Sequence, residues 1–195
     1  MEGNKTTKKF WIIIFCVCIC LTIFIAAGLI IFFGRKPEIV NKQLDGGIVN
    51  LNYVSDSNNL NINGALPTTN TVGKVMNEEN SFFDFSVDTE LNDAKNITYE
   101  LSIKKVKGNV PDNDIVIYLE KEDSGTYNEI VKPTIYNPLK KASKLGTQKG
   151  NMVIITQDRT KSIIDNYRLR TWLSEKSAVS SGNYQLEINI IAKAK

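Results

Sequence analysis

Two hydrophobic periods divide the chain. Residues 10–33 read FWIIIFCVCICLTIFIAAGLIIFF, 24 positions without a charge. Beyond Lys36 this continuous run gives way to alternation with a period of two. Ile97, Tyr99, Leu101 and Ile103 alternate with Thr98, Glu100, Ser102 and Lys104, and Tyr184, Leu186, Ile188 and Ile190 with Gln185, Glu187 and Asn189. Phe83, Phe85 and Val87 alternate with Asp84, Ser86 and Asp88, and Tyr167, Leu169 and Leu173 with Arg168, Arg170 and Trp172. Such segments predict strands with one face on a core and the other toward water. Ile115 to Leu119 and Met152 to Ile155 are apolar on both faces and predict central strands, while Val49, Leu51 and Tyr53 predict a first strand behind Gly46-Gly47. Turn signals such as Gly108-Asn109-Val110-Pro111-Asp112, Asp123-Ser124-Gly125 and Ser180-Ser181-Gly182-Asn183 separate them. Seven or eight short strands so punctuated predict a mainly β domain over 46–195, an antiparallel β-sandwich of jelly-roll or immunoglobulin-like type. Residues 34–45 read as a stalk, 55–80 as a long Asn-rich loop with one short strand near Leu60–Ile62, and 140–149 as a second loop.

The uncharged run predicts a transmembrane helix. At 1.5 Å per residue it spans about 36 Å against a hydrocarbon core of about 30 Å, enough to cross with some tilt. Trp11 stands near one end, where an indole suits the interface, and Lys8, Lys9, Arg35 and Lys36 flank the run. A cleavable signal core is about 7–15 residues long, so this length favours an uncleaved signal anchor. The basic residues on the two sides nearly balance; the short basic tail over 1–9 favours that end inside and the long domain outside. Cys16, Cys18 and Cys20 all fall within the span. On a helix Cys18 points away from the other two, so they do not converge on one metal.

Charge separates the two parts further. Residues 1–36 carry five basic groups and one acid. Removing these from the chain totals of 24 basic and 21 acidic leaves 19 and 20, a net of −1 for the domain. A nearly neutral domain with interspersed charges does not predict nucleic-acid binding. The chain has no histidine and the domain no cysteine, which removes the usual general base, thiol nucleophile and soft metal ligands. No cofactor is expected. The abundance of Lys, Asn and Ile suggests an AT-rich genome.

Chemistry-bearing residues gather in few places. Arg168, Arg170 and Trp172 fall on one face of their strand, with Tyr167 and Leu169 on the other. Two guanidiniums and an indole make a candidate partner-binding stripe for anionic glycans or an acidic partner. The same triplet fits a salt-bridge and cation–π ladder with acids on neighbouring strands, which is the commoner role. Asp84, Asp88, Glu90 and Asp93, and separately Asp112 and Asp114, could present oxygens to a hard cation, but neither group has calcium-loop spacing. Ser102 and Lys105 have the spacing of a Ser–Lys dyad, yet on a strand they face opposite ways.

The segments LNINGALPTTNTVGK, FFDFSVDTELNDAKNITYELSI, IVIYLEK, YRLRTWLSE and YQLEINIIAKA, in that order over residues 48–192, resemble exported β-sandwich surface proteins of low-GC Gram-positive bacteria. These are distantly similar to the TasA/camelysin group of surface and biofilm-matrix proteins. The resemblance implies a non-enzymatic module at the cell surface. The uncleaved span implies that this chain stays on the cell membrane through residues 10–33, single-pass, with its C-terminal domain extracellular. A binding role toward another surface protein or a cell-wall polymer leads. Assembly as a structural subunit through sheet edges or strand donation follows, and a hydrolase ranks last.

Overall fold

The alternating segments pair into two antiparallel sheets that face each other across one apolar core. The computed structural model describes residues 39–53, 59–77, 82–138, 143–146 and 150–195. The anchor helix expected over 10–33, its basic tail and the three cysteines lie outside the described residues. Among the described residues no helix is long and apolar enough to cross a membrane. Residues Pro37–Lys195 form one compact unit.

The described residues form eleven strands: β1 (Ile39–Leu44), β2 (Gly47–Tyr53), β3 (Asn59–Ala65), β4 (Pro67–Thr68), β5 (Phe82–Leu91), β6 (Ile97–Gly108), β7 (Ile115–Asp123), β8 (Thr126–Ile135), β9 (Met152–Arg159), β10 (Ile163–Ser174) and β11 (Gly182–Ala194). The larger sheet has the order β1-β2-β5-β10-β7-β8, with the short β4 alongside the end of β10 as the one parallel pair. The smaller sheet has the order β3-β11-β6-β9.

Period two sets which side chains meet. In β10, Leu169 sits between Phe83 of β5 and Leu119 of β7, and Tyr167 between Phe85 and Lys121. Tyr167, Leu169 and Leu173 are fully buried, as their alternation predicts. They meet Tyr99, Leu101, Ile103, Leu186 and Ile188 from the smaller sheet in a single core cluster. The sheets are also joined by polar contacts: Tyr53 Oη donates to the carbonyl of Ile188 at 3.2 Å, and Thr171 Oγ1 lies 3.0 Å from Tyr184 Oη.

Three elements differ from the sequence reading, each for a local reason. The expected stalk contributes β1, which pairs with β2 around Asp45-Gly46. The second half of another hairpin, β8, is joined to β7 by Ser124-Gly125, both at positive φ, the geometry of a type I′ turn. The Met152–Ile155 segment forms an edge strand rather than a central one. It is apolar on both faces because its outer side is also covered. Glu100, on the neighbouring β6, accepts from Ser143 Oγ at 2.5 Å and Lys144 N at 2.6 Å, holding that segment over the sheet.

Within the expected 55–80 loop, residues 66–77 form a strap across the outer face of the larger sheet. Pro67–Thr68 runs parallel to Leu173–Ser174. Thr69 then caps a single helical turn, α1 (Asn70–Gly73), its Oγ1 accepting from Val72 N at 3.4 Å. Gly73 rests directly on Trp172, and any Cβ there would overlap the indole.

Candidate functional site

β10 places Arg168, Arg170 and Trp172 on the outer face of the larger sheet, as strand alternation requires. Neighbouring strands and the strap then treat the three side chains differently.

Trp172 is buried, with Val116 and Tyr118 of β7 beside it and Gly73 above. Its ring lies 6.2 Å from that of Tyr118 at a 55° tilt. Among the described residues its buried indole Nε1 has no hydrogen-bond partner. Lys74 of the strap completes the cover, its Nζ standing 5.3 Å from the Tyr118 ring and paired at 2.5 Å with Glu129 of β8. Burial, with Glu120 close by, pushes the Tyr118 hydroxyl up to about 12.

Arg170 is also buried. Its Nε donates to Glu120 Oε2 at 3.0 Å, one guanidinium nitrogen donates to the carbonyl of Met76, and the other reaches Asn77 Oδ1 at 3.3 Å. Arg170 therefore joins β7, β10 and the strap. Its donors are directed to groups within the domain.

Arg168 remains partly open, with its side chain 21% exposed. Asp84 of β5 accepts from Nε at 2.7 Å and from NH2 at 2.8 Å, a two-pronged pair. The guanidinium carbon also lies 4.3 Å from the centre of the Phe82 ring and 4.2 Å from that of Tyr127. The Asp84 pair raises the pKa of Arg168 further above its ordinary value. The result is a patch fixed from three strands in which Phe82, Tyr127 and Arg168 are all half-buried. Phe82 and Tyr127 escaped the sequence reading. Phe82 stands in plain view before the β5 alternation, whereas Tyr127 requires recognition of β8.

The expected acid clusters do not converge. Asp84 is paired with Arg168, Asp112 with Lys105 at 3.0 Å, and Asp114 accepts from Ser177 Oγ at 2.7 Å. Among the described residues no three metal-ligating side chains come together. Ser102 is buried, while the ammonium of Lys105 reaches Val110 and Asp112.

A second polar cluster, absent from the sequence reading, lies at one end of the core. Asp165 faces inward from β10, its carboxylate fully buried. Oδ2 accepts from Arg159 Nε and Tyr99 Oη, each at 2.7 Å, and Lys121 Nζ stands 2.7 Å from Oδ1. Tyr99 and Tyr167 share a 2.6 Å hydrogen bond. Burial alone would raise the Asp165 pKa, but hydrogen bonds from Arg159, Lys121 and Tyr99 leave it below the ordinary carboxylate value. Burial pushes Tyr167 up to about 12 and Tyr99 higher still. An anionic carboxylate held by two cations and a phenol closes this end of the core, and its ionised form is the one these contacts stabilise. Compared with known proteins, the chain matches no family model, no curated protein and no solved structure.

Proposed function

We propose that the chain is a non-catalytic recognition module, tethered to the cell membrane through residues 10–33 and displaying its β domain outside the cell. The uncharged 24-residue run with basic flanks supports the tether. The observation that carries the binding role is the Phe82–Arg168–Tyr127 stack. A guanidinium clamped between two rings by a two-pronged carboxylate is already ordered, so a partner loses little side-chain freedom on docking. Arg and aromatic side chains are also the groups that most often anchor interfaces. The partner is another surface protein or a cell-wall polymer. Of the expected sandwich types, the jelly roll is better supported: only the β1–β2 and β7–β8 hairpins and the β4–β5 passage stay within one sheet. The reading extends to a distant kinship with TasA/camelysin-like surface proteins, supported by the order of segments along the sequence.

Assembly through sheet edges is the rival reading. It is favoured by β8, a ten-residue edge strand with Ile130 and Ile135 exposed. Lys132 and Pro133 in the same strand oppose it, since a charge and a missing donor are ordinary edge protections.

Labelled 37–195 fragment applied to purified Gram-positive cell walls and to intact cells tests the leading reading. Retention should fall at least tenfold for Tyr127→Ala and for Arg168→Ser while both stay folded. Equal retention of these variants, or growth of particle size with concentration in light scattering, would reject the patch in favour of edge assembly. Protease accessibility of the domain on intact cells, together with resistance of the full chain to carbonate extraction, tests the tether.

A further inference from the structure

The end of β6 forms a cleft on a different part of the domain from the Arg168 patch. Its volume is about 430 Å³, and Lys104, Lys105, Lys107, Asp112, Tyr136 and Gly150 contribute to its lining. That size lies within the usual range of small-ligand sites. Three of these lining residues are lysines and one is an aspartate.

The lysines have unequal freedom. Lys105 is fixed: its Nζ donates to the carbonyl of Val110 and pairs with Asp112 at 3.0 Å, and its backbone N donates to Tyr136 Oη at 2.9 Å. Tyr136 is buried and donates in turn to the carbonyl of Gly150 at 3.3 Å, forming a firm floor. Lys104 and Lys107 are exposed. Glu187 stands across from Lys104 in the ladder, yet among the described residues neither Lys104 nor Lys107 has a carboxylate partner. Two exposed lysines with no ion pair among the described residues therefore border a cleft with an ordered base.

We propose that this cleft binds a phosphate ester. Lysine ammoniums act as mobile point charges, which suit the several oxygens of a phosphate approached from different sides. Residues 104 and 107 are three apart on an extended strand, roughly 10 Å. Lys104 and Lys107 share a face because the ladder slips between Gln185 and Leu186, so a single phosphate can engage one rim lysine at a time, whereas a chain of phosphodiesters can engage both. The group could come from a soluble phosphate metabolite or from a phosphodiester polymer, and the two sources differ in this reach.

The test uses the full chain in non-ionic detergent. Calorimetric titrations are run with inorganic phosphate, with a short glycerol-phosphate oligomer and with poly-glutamate as a carboxylate polyanion. Saturable binding of a phosphate probe, weakened at least tenfold in the Lys104→Gln/Lys107→Gln double variant and unchanged in Lys42→Gln, is the expected result. Binding should also weaken as salt rises from about 50 to 200 mM. Equal affinity for phosphate and oligomer identifies a soluble ligand; preference for the oligomer by tenfold or more identifies a polymer. Failure of both phosphate probes, undiminished binding by the double variant, or equal affinity for poly-glutamate would overturn the proposal. Circular dichroism of the double variant guards against misfolding, and exposed Lys104→Arg should retain phosphate binding.

Discussion

Replacing Arg170 with Met removes the tie between the strap and the larger sheet while keeping much of the side chain's apolar volume. The loss is calculable from its surroundings. The Arg170–Glu120 side chains are 6% and 12% exposed, so the variant leaves a nearly buried carboxylate without its cation. Breaking such a pair costs about 3–5 kcal/mol. For a domain of this size each kcal/mol lowers Tm by about 2–4 °C, so the fall should be about 6–20 °C. Arg168→Ser, two residues away, removes a pair whose side chains are 21% and 25% exposed. With a partly exposed ion pair and two ring contacts the expected cost is about 1–2 kcal/mol. Urea unfolding of the 37–195 fragment measures both. Trp172 is its single tryptophan and lies beneath the strap, so its emission reports strap release directly. Arg170→Met should shift that emission to the red; Arg168→Ser should not. Pairing Arg170→Met with Glu120→Met should cost less than Arg170→Met alone, because no orphaned charge remains. A cost below about 0.5 kcal/mol for Arg170→Met, the range of ordinary surface changes, would refute the ladder.

Leu169→Ala should destabilise the same fragment by about 2–5 kcal/mol, since the side chain is fully buried between Phe83 and Leu119; urea titration checks it. Asp165 has a depressed pKa in the fold, so its stabilising contribution is present above its unfolded pKa of about 3.9 and is lost as pH falls through the lower folded value. Acid unfolding should accordingly flatten in Asp165→Asn, which should already be less stable at pH 7. Tyr118 and Tyr167 are raised to about 12, and Tyr99 and Tyr184 are raised too. Their contribution is present below about pH 10 and lost as pH rises through the folded values, so phenolate absorbance should lag free tyrosine and then appear together with unfolding.

The strands whose two faces differ in polarity were legible because period two survives in them: β2, β5, β6, β10 and β11 fall where alternation puts them, although the outer faces of β6 and β10 are partly covered. β1 and β8 were missed for a shared reason. Each is an edge strand with weak alternation, so burial imposes little pattern on its residues. Each is nevertheless marked by turn chemistry, Asp45-Gly46 and Ser124-Gly125, two-residue hairpin connections that identify the partner strand without any apolar period. β9 misled in the opposite sense. Continuous apolarity reports burial on both faces, and here the second cover is the segment at Ser143–Lys144 rather than another strand.

The stripe shows why a face can be read from sequence and its accessibility cannot. Alternation within β10 places Arg168, Arg170 and Trp172 together, a local consequence of strand geometry. What covers them comes from residues about a hundred positions away, where a polar Asn-rich stretch gave no sign of docking. Gly73 is the physical clue: its missing side chain lets the strap lie flat on the indole. The same face therefore changes character over three alternate positions. Trp172 is packing and Arg170 is a tie, while Arg168 has both a structural partner in Asp84 and a half-buried aromatic frame. The proposed recognition role falls at Arg168 because its side chain is more exposed than those of Arg170 and Trp172, and Lys104 and Lys107 are exposed because there β6 runs past the buried part of its own strand.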